Sequence, residues 1–130
     1  MVPGPPKLRD EELRVLLETG FILREASRFD DAEAVFRGCM ELIPDSEVPV
    51  VGLGTVYLQK GEYEKGLEYC RKAAQEHSGS AYARLHFGEA LLFNNQVEEA
   101  QAQLLSVIEE NHDSTYARTA SRILAVADLQ

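Results

Sequence analysis

Small and apolar residues recur along this chain at an interval of 34 positions. Glycine occupies positions 20, 54 and 88. Four further columns keep the same register and are small or apolar throughout: Ala32/Gly66/Ala100, Phe29/Tyr63/Val97, Leu23/Tyr57/Leu91 and Cys39/Ala73/Val107. Five columns in one register predict an internal repeat of 34 residues.

Within each repeat, apolar residues follow one another at intervals of three and four, which is the spacing of an amphipathic helix. Ser27, Gly61 and Asn95 stand 34 residues apart at the predicted turns between paired helices. Ser46, Ser80 and Ser114 each directly precede a new helix, where a serine can accept a hydrogen bond from a free amide. The pattern predicts helices at residues 10–25, 30–43, 47–60, 62–77, 81–93, 97–111 and 115–128.

The last predicted helix has no second helix after it to cover its outer side. The positions that would face such a partner are Arg118, Ser121, Arg122 and Ala125. These columns are mostly apolar in the complete repeats and mostly polar here, as expected of a terminal helix whose outer face meets water. We therefore expect the array to end with this helix as a cap.

A helix–turn–helix unit repeated every 34 residues resembles the tetratricopeptide repeat (TPR) family. The resemblance places repeats at residues 13–46, 47–80 and 81–114, followed by a capping helix at 115–128. It implies an all-α fold, a right-handed solenoid of antiparallel helix pairs, forming a single domain over residues 10–130. Residues 1–9 are expected to form a disordered, proline-rich arm. In this family the first helix of each pair lines the concave face.

The charge of the chain restricts its partners. The formal net charge is −9 and the pI is about 4.8. Nucleic acids and anionic membranes bind clustered Lys and Arg, so we expect neither as a partner. Residues 1–6 lack the basic and apolar regions of a signal peptide, which favours a cytoplasmic protein. Cys39 and Cys70 fall on small or apolar columns and are expected to be buried, reduced thiols.

Catalytic and metal sites have no support in the sequence. His77, His86 and His112 are isolated from one another and from any recognised nucleophile motif. The spacing of Cys and His does not match a metal site. We therefore expect a non-catalytic protein without a metal or a cofactor.

The first helices carry a second apolar stripe besides the one that packs on their paired helix. We expect it to line a groove for a protein or peptide ligand, although packing on the neighbouring repeat remains an alternative for any single residue. The predicted peptide-binding residues are Arg14, Leu17, Phe21, Arg24, Val51, Thr55, Leu58, Tyr82, Leu85, Glu89 and Leu92. The same geometry adds Val48 and, in the last helix, Tyr116, Thr119, Ile123 and Val126.

Some TPR modules hold the C-terminal carboxylate of heat-shock chaperones with a clamp of Lys, Arg and Asn. The clamp is missing here, because the corresponding positions carry Leu17, Phe21, Thr55, Tyr82 and His86. We therefore expect a peptide held by apolar side chains, with Arg14 or Arg24 fixing an acidic residue at one end. Such a module acts as a scaffold or adaptor.

A second resemblance gives an alternative function. Three repeats, an acidic chain and an apolar groove are similar to the chaperones of bacterial type III secretion translocators, which hold an extended segment of a secreted protein. This chain lacks the long N-terminal helical extension of that group. An uncovered apolar stripe also favours a weak homodimer when no ligand is bound.

Overall fold

The structure is a computed structural model that describes residues 8–127. Within this range the chain forms seven α-helices and no strand, so the predicted all-α solenoid is confirmed. Most of the predicted N-terminal arm and the last residues of the predicted capping helix lie outside the described residues. The helices are α1 (Asp10–Glu25), α2 (Phe29–Leu42), α3 (Val48–Lys60), α4 (Tyr63–Glu76), α5 (Ala81–Phe93), α6 (Val97–Glu110) and α7 (Thr115–Val126).

Each helix packs against the next one in the chain, and the odd-numbered helices also contact one another. Helix α3 contacts both α1 and α5, and α5 contacts α7. The odd-numbered helices therefore lie side by side along one face of the array, as the sequence predicted for the first helices of the repeats.

The turns inside the three repeats have the same conformation. Ser27, Gly61 and Asn95 have φ values of 60°, 88° and 60°, in the left-handed region. The residue after each of them donates its amide N–H to a carbonyl five residues earlier, as in Arg28 to Leu23 at 2.9 Å. This arrangement satisfies carbonyl groups at the end of the first helix and turns the chain into the second.

The serine caps differ in one repeat. Ser80 and Ser114 accept hydrogen bonds from the amides of Ala83 and Ala117, three residues on, at 3.1 and 3.0 Å. Three residues after Ser46 the chain has Pro49, which has no N–H to donate. Ser46 Oγ instead accepts from the amide of Val48 at 3.2 Å.

The second helices end one residue before the predicted positions. Ile43, His77 and Asn111 have φ near −130° and ψ between 46° and 69°, outside the helical region. Helix α3 likewise begins at Val48 rather than at residue 47. These shifts repeat with the register and leave the predicted architecture unchanged.

The glycine column lets paired helices approach closely. A methyl group placed on Gly20 would lie 2.8 Å from the ring of Phe36, and one on Gly88 would lie 2.7 Å from Leu104. On Gly54 it would lie 2.7 Å from Sγ of Cys70. Since residues 36, 70 and 104 are also 34 apart, each glycine faces the same position of its paired helix. Cys39 and Cys70 are buried and unpaired, as predicted.

Helix α7 covers the end of the hydrophobic core. Its Ala120 and Leu124 pack in one cluster with Leu104 and Val107 of α6. The four positions predicted to face water are all exposed, namely Arg118, Ser121, Arg122 and Ala125. The capping role predicted for this helix is therefore confirmed. Over the described range, no helix combines the length and the hydropathy needed to cross a membrane.

Candidate functional site

Side chains from all four odd-numbered helices meet in one pocket of about 460 Å³, which we call the four-helix pocket. Phe21 comes from α1, Val48 from α3, Tyr82 from α5 and Tyr116 from α7. Glu47, Ser80 and Ala81 complete its wall. The side-by-side packing of the odd-numbered helices thus produces a concave site that no single repeat contains.

Aromatic rings form much of the wall of this pocket. The ring centroid of Tyr82 lies 6.3 Å from that of Tyr116 and 4.9 Å from that of His86. Phe21 packs edge-to-face on the buried ring of Phe36 at 5.0 Å, which holds it in place. Burial raises the pKa of the Tyr82 hydroxyl, so this group stays protonated and can donate a hydrogen bond at neutral pH.

A second pocket, of about 440 Å³, lies between the ends of α5 and α7, and we call it the C-terminal pocket. It is lined by Glu89, Leu92, Phe93, Thr119, Arg122, Ile123, Val126 and Ala127. Tyr82 and Leu92 are ten residues apart on one helix, so the two pockets are separated by about 15 Å along α5.

Sequence comparison identifies the family. A family model described as tetratricopeptide repeat matches residues 58–123, which is half of the chain. The chain belongs to the tetratricopeptide repeat family. A comparison with curated proteins finds no match in sequence.

Three solved structures show what the TPR domain is similar to in fold. The type III secretion chaperone SycD of Yersinia enterocolitica, in complex with a peptide of the translocator YopD, is 20% identical with a TM-score of 0.74, covering 95% of this chain and 98% of that one. PcrH of Pseudomonas aeruginosa, in complex with the chaperone binding region of PopB, is 22% identical with a TM-score of 0.74, covering 92% and 100%. The first TPR of Spaghetti (RPAP3), bound to the HSP90 peptide SRMEEVD, is 20% identical with a TM-score of 0.70, covering 93% and 99%. At these identities the likeness concerns the fold alone.

The TPR structure brings some of the predicted peptide-binding residues into the two pockets. Phe21 and Tyr82 line the four-helix pocket, and Glu89 and Leu92 line the C-terminal pocket. Leu17 is half-buried against the cluster around Phe36 and lines neither pocket. The predicted positions of α7 are also used, since Tyr116 lines the first pocket and the other three line the second.

Four predicted residues lie in the core of the TPR domain rather than on its groove. Val51, Thr55, Leu58 and Leu85 are all at most 4% exposed. Helices α3 and α5 are flanked by neighbours on both sides, so their second apolar stripe packs against the adjacent repeat. This is the alternative that the sequence left open, and these four side chains have no surface to offer a ligand.

The two predicted basic contacts also have other partners. Arg14 is exposed and forms a 3.7 Å ion pair with Glu18 of the same helix. Arg24 is only 17% exposed. Its guanidinium donates to Oε1 of Glu25 at 2.9 Å and to Oγ1 of Thr55 at 2.7 Å. Because Arg24 is neutralised and held inside the domain, it is poorly placed to fix an acidic residue of a ligand.

Sequence reasoning missed Glu47 as a wall of the four-helix pocket. The register contains a signal for it, because Glu47 and Ala81 stand 34 apart and line the same pocket, as do Val48 and Tyr82. The side chain of Glu47 is 23% exposed. Among the described residues it accepts no hydrogen bond, and the nearest cationic candidate is Nδ1 of His77 at 3.9 Å.

The titratable side chains of the described range do not assemble into a metal site. No group of three or more His, Cys, Asp and Glu residues lies close enough there to hold an ion. His86 is the histidine nearest to the pockets, with Nδ1 3.4 Å from Oε1 of Glu89. The concave face therefore offers apolar and aromatic contact surface with a few fixed polar groups, which suits the binding of a polypeptide segment.

Proposed function

We propose that this TPR domain binds a peptide segment of a partner protein in its concave groove and acts as a scaffold or adaptor. The observation that carries the proposal is the four-helix pocket, where Phe21, Val48, Tyr82 and Tyr116 converge from four separate helices. A pocket assembled in this way holds its shape only in the complete domain, and its apolar wall favours a buried side chain of the ligand.

The two pockets define the ligand further. They are separated by about 15 Å along α5, and an extended chain rises about 3.3 Å per residue, so its two anchoring side chains are about four or five residues apart. Each buried apolar anchor contributes about 1.5–3 kcal/mol, from which the ordering of the peptide is subtracted. Micromolar affinity or weaker follows from these magnitudes.

The alternative function, a chaperone that keeps a secreted translocator or another secreted protein soluble, uses the same groove. The complexes of SycD with a YopD peptide and of PcrH with a region of PopB make this alternative worth testing. The two functions differ in what happens to the partner alone: a chaperone client aggregates when the domain is absent, whereas a scaffold partner stays folded. A cytoplasmic location is part of both proposals and agrees with two buried, unpaired cysteines.

The test replaces one exposed side chain in each pocket, Tyr116→Asp together with Val126→Asp. The matched control places the same charges on apolar side chains outside both pockets, Val15→Asp together with Leu105→Asp. The partner segment is mapped by photo-crosslinking from position 116, made as a synthetic peptide, and titrated by fluorescence anisotropy.

We expect the pocket variant to lose at least about tenfold in affinity while its helical circular dichroism is retained. The control variant should bind like wild type. Loss of binding in the control but not in the pocket variant would mean that the partner reads another face of the domain.

A further inference from the structure

The carboxylate of Glu47 is a charged group in an otherwise apolar and aromatic pocket. It lies at the start of α3, beside Val48 and facing the space lined by Tyr82 and Tyr116. About three quarters of its side chain is covered, and it accepts no hydrogen bond from another described residue. Covering a carboxylate without a hydrogen-bonding partner is unfavourable, so the pocket is completed by a ligand that supplies a donor with positive charge.

The groups around Glu47 do not supply that partner. His77 Nδ1 is 3.9 Å away, beyond hydrogen-bond distance. The N-terminus of α3 favours a carboxylate, but the side chain of Glu47 forms no capping hydrogen bond there. Arg24, the nearest strong cation on the groove side, is already paired with Glu25 and Thr55.

The aromatic walls fit the same kind of ligand group. The faces of Tyr and Phe rings attract cations, and the apolar stem of a Lys or Arg side chain packs against such rings while its charged head remains paired. The domain already contains an example, since the guanidinium of Arg24 lies 5.1 Å from the ring centroid of Phe21. The net charge of −9 also attracts a basic partner over longer distances.

Resting on the proposed function, we propose that the ligand places a Lys or Arg side chain in the four-helix pocket, with its charged head on Glu47. An apolar residue about four or five positions away along an extended ligand fills the C-terminal pocket. This reverses the charge preference expected from the sequence, in which Arg14 or Arg24 was to fix an acidic residue. The domain is therefore a reader of basic–apolar segments.

The test uses a phage-displayed library of random nonapeptides selected on the full domain. The peptide with the strongest enrichment is then synthesised with its basic residue kept, replaced by norleucine, or replaced by glutamate. Norleucine keeps the apolar stem and removes the charge. Binding of the three peptides is measured by fluorescence anisotropy with wild type, with Glu47→Gln, and with Glu109→Gln, which removes one exposed carboxylate on α6.

We expect the selected peptides to combine a Lys or Arg with an apolar residue at that spacing. Wild type and Glu109→Gln should bind the basic peptide about tenfold more tightly than the norleucine peptide, as for a charge-assisted hydrogen bond. Glu47→Gln should bind the two peptides alike and retain the affinity for the norleucine peptide.

Enriched peptides with no basic residue, or a preference for glutamate, would overturn this inference while leaving the proposed groove intact. A basic preference that survives Glu47→Gln would also overturn it, since another group would then be responsible. Failure to enrich any peptide, or enrichment unaffected by Tyr116→Asp with Val126→Asp, would contradict the proposed function itself.

Discussion

Replacing Gly54 by alanine tests the close approach of paired helices. The new methyl group would lie 2.7 Å from Sγ of Cys70 and 3.2 Å from the carbonyl oxygen of Gly66. Both contacts are tighter than van der Waals distance, and the second involves backbone that cannot rotate away. Helices α3 and α4 would therefore have to separate.

The magnitude follows from a comparison of two identical substitutions. Overpacking a core costs about 1–3 kcal/mol, while alanine in place of glycine in a helix contributes about 1 kcal/mol of stability. Gly38 of α2 is exposed, and a methyl group placed there has no atom within 4 Å. Gly38→Ala should therefore stabilise the domain by about 1 kcal/mol. Because helix propensity is common to both variants, Gly54→Ala should be less stable than Gly38→Ala by about 1–3 kcal/mol.

The assay is urea denaturation followed by circular dichroism, with the free energy of unfolding compared between the two variants. A second comparison adds Cys70→Ala, which removes the sulfur atom that the new methyl group meets. The double variant should lose less stability than the sum of its single changes. Equal free energies for Gly54→Ala and Gly38→Ala, within about 0.5 kcal/mol, would refute the close-packing explanation of the glycine column.

Three further predictions concern the rest of the domain. Deletion of residues 115–130 should cause aggregation or unfolding, because it uncovers Leu104 and Val107 of α6; a soluble, fully helical truncated chain in size-exclusion chromatography would contradict this. Burial raises the pKa of the Cys70 thiol to about 12 and also raises that of Cys39. Since unfolded thiols ionise near pH 8.5, the unfolded state loses protons first, so stability should fall as the pH rises above about 8.5, and this loss should be smaller in Cys70→Ala. Finally, the 89% exposed side chain of Val126 beside the C-terminal pocket favours a weak homodimer without ligand; light scattering should detect it, Val126→Asp should remove it, and a strict monomer at high concentration would be the contrary result.

The sequence by itself determined the period, the helices and the turns of this protein. Ser27, Gly61 and Asn95 all adopt the left-handed conformation, as their spacing predicted. The polar outer face of α7 was also legible, because each of its positions could be compared with the same column of a complete repeat. These features depend on residues within one repeat or on the comparison of equivalent positions, and both are visible in a linear chain.

The accessible part of the groove was decided by the tertiary structure. Val51 and Leu85 have the same helical spacing as groove residues, yet they are buried because α3 and α5 have neighbours on both sides. Arg24 is withdrawn from the ligand by Thr55, which is 31 residues away in the chain. Glu47 has no donor because no stacked helix places one within reach. Burial and pairing of this kind depend on how several repeats stack, and a pattern within one repeat carries no information about that stacking.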